Sequence, residues 1–185
     1  MKTALKRALT ATVASVAALS LTPALSSATA PELDFARYPA VDAKTYVSYN
    51  YDNNGRAFFR AGMFYCGLGS TPGRIACKGR PATAPPGVQG TYLNNSQGPW
   101  WVSPEGIFAP SIRLLPNAHY RAKVLPVGRS IHIYDIICAR PRPAVLTCET
   151  RGRAFVVSPR WHKFISPAGD HAYNPPKSKL PPSLR

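Results

Sequence analysis

From residue 44 onward the chain alternates short apolar runs, rich in β-branched and aromatic residues, with turn formers. Nowhere does it keep a helical apolar period across three turns. "KTYVSYNY" opens the pattern, and "DNNG" (52–55) interrupts it with residues that tolerate positive φ. "RAFFRAGMFYC" (56–66) reads as a strand, "GLGSTPG" (67–73) as a hairpin loop and "RIACKG" (74–79) as the return strand. "RPATAPPGVQG" (80–90) is a proline-rich connection, poor in donors and helix propensity. "GTYLNNSQGPWWVSPEGIF" (90–108) alternates aromatic residues with turn formers. "APSIRLLPNAHYRAKVLPVGRS" (109–130) holds two apolar runs, each stopped by proline. The clearest period of two is "SIHIYDIIC" (130–138). Ile131, Ile133, Asp135 and Ile137 face one way, and His132, Tyr134, Ile136 and Cys138 the other, which predicts a central strand buried on both sides. "AVLTCET" and "RAFVVSP" read as further strands. The expected fold is mostly β, a small antiparallel sheet or sandwich with two disulfide-clamped hairpins.

These elements divide the chain. Residues 31–43 form an irregular lead-in and 44–165 a single β domain. Residues 166–185, "SPAGDHAYNPPKSKLPPSLR", read as a disordered, basic, proline-rich tail. Residues 1–30 read as a signal peptide. Lys2, Lys6 and Arg7 precede the apolar "ALTATVASVAALSLTPAL", and "SSATAPE" supplies small residues for cleavage after Ala28 or after Ala30. An uncleaved anchor is disfavoured because the apolar run is short and broken by Pro23. The mature chain then has no transmembrane span and is secreted or associated with the cell envelope.

Export places the four cysteines in an oxidising compartment, where pairs become disulfides. Ten residues lie between Cys66 and Cys77 and nine between Cys138 and Cys148. Those are not the two- to four-residue spacings of zinc ligands, and no histidine pair accompanies them. Four cysteines allow three connectivities. Cys66–Cys77 with Cys138–Cys148 is favoured, because each pair brackets one turn. The two clamped stretches also echo each other at an offset near 72 residues, "YC…RIACKGR" against "IC…VLTCETRGR".

Charge narrows the class of partner. The chain carries 23 Lys and Arg against 8 Asp and Glu, net +15, and losing the three cations of residues 1–30 leaves +12. Such a field attracts anionic phospholipid, acidic polymer or nucleic acid, although it also serves solubility. Nucleic acid fits the charge but not the compartment, and no aromatic–basic RNA-reading signature or helical reader is present, so no specific nucleic-acid binding is expected.

"YCGLGSTPGRIACKGRPATAPPGVQG" and "VLPVGRSIHIYDIICARPRPAVLTCETRGRAFVVSP" together resemble a group of small secreted, disulfide-containing proteins of unknown function from mycobacteria and related actinobacteria. The shared features are Cys66 and Cys77 with Gly79, Pro86-Gly87 and Leu125-Pro126-Val127-Gly128. Cys138 and Cys148 follow, then Phe155 and Ser158. Ala154 stands where the group tends to have glycine. The resemblance spans roughly residues 60–160. It implies an exported, disulfide-clamped domain and no catalytic residues.

No constellation of catalytic residues is visible. His119, His132, His162 and His171 are scattered, and Asp135 lies three positions from His132, on the opposite face of a strand. There is no glycine-x-serine-x-glycine elbow and no paired-carboxylate motif. A metal site on His119, His132 and an acid is disfavoured, and no cofactor is expected. Binding has more to point at. Arg140 and Arg142 lie in the loop of the second clamp, and Arg151 and Arg153 follow its second cysteine. A closed hairpin is expected to cluster all four, and guanidinium forks suit phosphate and carboxylate oxygens. Arg74, Lys78 and Arg80 add to the first clamp. Trp100 and Trp101, after "SQGP", are the other binding candidates, since an exposed aromatic pair on a loop inserts at a membrane interface or stacks on sugar rings. Adjacent on a strand, they are expected to point opposite ways, one buried as a core plug and one exposed. The function expected from the sequence is an exported, non-enzymatic protein contacting an anionic envelope lipid or polymer through cationic loops. The alternatives are a protein-interaction or inhibitor module built on a clamped loop, and an unrecognised secreted hydrolase.

Overall fold

A computed structural model describes residues 30–49, 53, 55–68, 73–102, 122–167 and 173–185. The expected signal peptide, the first of the two proline-stopped runs, His119 and His171 lie outside the described residues, Ala30 excepted. Among the described residues there is no α-helix, and none is long and apolar enough to cross a membrane.

Among the described residues, eleven strands form two sheets. β1 (Ala57–Ala61), β2 (Phe64–Leu68), β3 (Arg74–Lys78), β4 (Gly90–Asn94) and β5 (Trp100–Val102) make an antiparallel meander. β6 (Lys123–Val124) joins this sheet parallel to β1. β7 (Ser130–Ile133), β8 (Ile136–Arg142), β9 (Val145–Thr150), β10 (Arg153–Val157) and β11 (His162–Ile165) make a second antiparallel meander. The sequence echo is thus a repeated five-strand unit. Its edges are exchanged: the segment before the second meander pairs with β1. In turn Ala40, before the first meander, bridges Ser130 of β7 in parallel, with Val41 N–H on Ser130 O at 2.8 Å.

Period-two alternation supplies the shared core. Phe59, Phe64, Cys66, Leu68, Ile75, Cys77 and Leu93 of one sheet pack with Ile131, Ile136, Cys138, Leu146, Cys148, Phe155, Val157 and Phe164 of the other. Burying each of these large apolar side chains contributes about 1.5–3 kcal/mol. Both expected disulfides are present, between directly opposed residues of β2–β3 and β8–β9, and all four cysteines are buried in this core.

Two predicted strands are hairpins. Residues 56–66 reverse at Gly62-Met63, where Gly62 has φ 62° and a Cβ would meet Pro143 O at 3.2 Å. Residues 130–138 reverse at Tyr134-Asp135, with Tyr134 at φ 54°. A two-residue turn shifts the phase of the alternation by one position, so Ile136 and Cys138 share the core face with Ile131 and Ile133 rather than opposing them, as Phe64 and Cys66 do with Phe59 and Ala61. Apolar residues at both phases hide that shift in the sequence.

The C-terminal segment also differs from the expected disordered tail. Leu180 and Leu184 are buried, and Leu184 joins Val145 and Val156 on the outer face of the second sheet, with Ala30, Leu33, Trp161 and Ile165 around them. Asn174 caps the β11 edge with its amide. Its Oδ1 accepts from Phe164 N–H at 2.6 Å and its Nδ2 donates to Phe164 O at 2.9 Å, so this edge is not left open at that residue.

Candidate functional site

The four arginines of the second clamp do not come together. Arg140 and Arg142 end β8, beside the β8–β9 turn, while Arg151 and Arg153 sit at the β9–β10 turn. The six residues of β9 hold the two pairs at opposite ends of the sheet, about 17–20 Å apart at the rise of an extended chain. Most of these guanidiniums are also engaged. Arg140 donates Nε and Nη2 to Pro143 O at 3.2 and 2.7 Å, and Nη1 to Leu125 O at 2.9 Å. Arg151 pairs with Asp135 at 3.2 Å, linking two hairpin tips. In the first clamp, Arg80 is spent on the carbonyls of Ala84 and Pro85.

Trp100 and Trp101 do point opposite ways, but both are half-buried. Trp100 lies on Tyr92, ring centroids 4.9 Å apart, on the outer face. Trp101 turns toward the core, edge-on to His162 at 4.6 Å. Neither is a free platform.

His162 is buried and belongs to the framework. It accepts from the Thr83 hydroxyl at Nδ1 (2.7 Å) and donates Nε2–H to Tyr173 O (3.0 Å), joining the proline-rich connection, β11 and the C-terminal segment. Burial lowers its pKa below the usual 6.5, the bond to Tyr173 opposing. His132 approaches Ser130 Oγ at 3.0 Å. The buried Ser130 hydroxyl gives its proton to Tyr38 O at 2.7 Å, so the imidazole donates to the serine. That direction is the reverse of nucleophile activation.

Arg142 is different. One edge of its guanidinium is fixed, Nη2 lying 2.5 Å from Glu32 Oε1, and its side chain remains 53% exposed. Glu32 is buried and also accepts from Ser183 Oγ at 3.2 Å, so it clasps the lead-in, β8 and the C-terminal segment together. Concave surfaces open on both sides of Arg142. One, about 490 Å³, is lined by Glu32, Arg37, Tyr38 and Ser183 among others. Within it, burial raises the Tyr38 phenol above the usual 10 while neighbouring Arg37 opposes. The second, about 560 Å³, runs between the β8–β9 turn and residues 158–161, with Trp161, Arg160, Pro143, Pro159 and Pro181 in its walls.

The 158–161 turn is rigidly built. Ser158 Oγ accepts from the backbone N–H groups of Arg160 (3.3 Å) and Trp161 (3.1 Å), and Ser158 N–H donates to Trp161 O at 2.9 Å. Arg160 is exposed, and its guanidinium has no protein partner among the described residues. The result is a half-exposed indole with a fixed and a free guanidinium nearby, suited to a ligand that carries both an apolar face and negative charge.

Sequence reasoning missed Arg160, Trp161 and Glu32. "SPRW" carries a signal for the first two, since Ser-Pro starts a turn and a tryptophan three positions on is displayed by it. Glu32 is one of three acids in an irregular lead-in, and nothing in the sequence sets it apart from Asp34 and Asp42. No family model matches the chain, and no curated protein or solved structure matches it.

Proposed function

We propose that this is an exported, non-enzymatic binding protein of the cell envelope or extracellular space that contacts an anionic partner through the surface around Arg142 and Arg160. The observation that carries the reading is a concave groove whose charged groups are guanidiniums, one oriented by Glu32 and one unpaired, beside a half-exposed Trp161. The +12 charge expected of the mature chain adds long-range attraction. Two buried disulfides are compatible with an extracellular location, and the resemblance to small secreted actinobacterial proteins supports export.

The test is co-sedimentation of the oxidised protein, residues 31–185, with isolated envelope fractions at low and high salt, beside an Arg142→Ala/Arg160→Ala variant. Binding at low salt, released by high salt and lost in the variant, is the expected result. Absence of binding at low salt would sink the anionic-partner reading and bring the protein-interaction alternative forward. Binding unchanged in the variant would place the contact elsewhere on the surface.

A further inference from the structure

We infer that the groove beside Arg142 takes an acidic polysaccharide, with a sugar ring lying on Trp161 and its carboxylate held by Arg142 and Arg160. This rests on the anionic-partner reading and narrows it to one class of polymer.

The walls of the groove decide against an extended peptide. Such a ligand is held by backbone donors and acceptors at regular spacing. Here three wall residues are prolines, which have no N–H. Their carbonyls are already used: Pro143 O accepts from Arg140, Pro159 O from Ala82 N–H at 2.8 Å, and Pro181 O from Leu184 N–H at 3.0 Å. Ser158 Oγ is occupied within its own turn. What the groove's side chains offer a ligand is therefore an apolar surface, guanidinium donors and the Trp161 indole N–H. It also suits a bilayer poorly, because a flat lipid surface does not enter a concave cleft.

A uronic-acid residue matches what remains. Its ring presents a face of C–H groups that packs on an aromatic plane, while its carboxylate projects from the ring edge and is planar, as the guanidinium fork requires. Trp161 is held by the Ser158 turn and packs against the cluster of Val145, Val156 and Leu184, so little freedom is lost when it is covered. Glu32 holds one edge of Arg142 and leaves its Nε and Nη1 without a protein partner among the described residues. The groove volume of about 560 Å³ lies within the usual range for small-ligand sites and accommodates a short stretch of saccharide.

The experiment is calorimetric titration at low salt with three probes: oligogalacturonic acid, its methyl ester, and poly-L-glutamate. The first supplies rings and carboxylates, the second rings alone, the third carboxylates alone. Oligogalacturonate is expected to bind most tightly. Esterification and Arg160→Ala are each expected to weaken it about tenfold, the scale of one charge-assisted contact. Trp161→Phe, which keeps an aromatic group in the packing, is expected to weaken oligogalacturonate several-fold and leave poly-L-glutamate unchanged. Circular dichroism and the melting temperature check that both variants are folded. Equal binding of the acid and its ester would overturn the inference, as would poly-L-glutamate binding as tightly as oligogalacturonate. In the latter case, dependence on Arg160 but not on Trp161 would leave the anionic-partner reading standing. If none of the three probes binds and envelope fractions also fail to bind, both readings fall.

Discussion

Replacing Glu32 with alanine tests whether the two ends of the domain are clasped through one buried carboxylate. Glu32 has only 5% of its side chain exposed, and Oε1 receives Arg142 Nη2 at 2.5 Å and Ser183 Oγ at 3.2 Å. Breaking a fully buried ion pair costs about 3–5 kcal/mol, because the surviving charge is stranded. Here the survivor is Arg142, which is half-exposed and rehydrates, and the Ser183 hydroxyl is at the surface. The loss is therefore nearer the value of a charge-assisted hydrogen bond, about 1.5–3 kcal/mol. For a domain of this length that corresponds to a fall in Tm of roughly 3–12 °C. Glu32→Gln keeps both acceptor contacts and is expected to lose about 1 kcal/mol. The assay is urea and thermal unfolding of the oxidised protein, with Arg142→Ala and the double variant completing a cycle. A coupling energy below about 0.5 kcal/mol, or a Glu32→Ala protein as stable as the parent, would refute the clasp.

Further predictions concern the core, the turns and pH. His162 is buried neutral with a pKa below 6.5, so the unfolded chain takes up a proton near pH 6.5 that the folded chain does not. Stability is thus full above pH 6.5 and declines as the pH falls below it, and His162→Phe is expected to flatten that part of the urea-midpoint profile. Each disulfide closes a loop of 10 or 11 residues, and replacing either cysteine pair with alanine is expected to cost about 2–3 kcal/mol in denaturant unfolding. Tyr134 sits at φ 54° and is 63% exposed, so Tyr134→Asn should relieve backbone strain. A gain of about 0.5–1 kcal/mol is expected, since asparagine tolerates the left-handed region and few contacts are lost. Truncating Leu184 to alanine should destabilise by about 2 kcal/mol. Amide exchange would then show faster opening of residues 173–185, whereas unchanged exchange would mean that the tail contributes nothing.

Local sequence determined the class of fold and its covalent clamps. Alternating apolar positions cover both sides of the chain's many turns, and frequent prolines leave no room for a helix. Cysteines with ten and nine residues between them around single turns sit opposite one another once those hairpins close, as Cys66–Cys77 and Cys138–Cys148 do. Tertiary structure decided where strands reverse and which side chains meet. Gly62-Met63 and Tyr134-Asp135 invert the chain and shift the period of two by one position, which apolar residues at both phases conceal, and a tyrosine at positive φ is a poor turn signal. Leu184 is lost in a basic, proline-rich composition because the surface it buries against belongs to β9 and β10 and is absent from its own segment. The arginines look clustered along the chain, yet β9 carries them to opposite ends. Arg142 and Trp161, far apart in sequence, border the same groove. Alternation is a property of neighbours in the chain, whereas a binding surface depends on register and sheet packing, which involve residues that the local pattern does not relate.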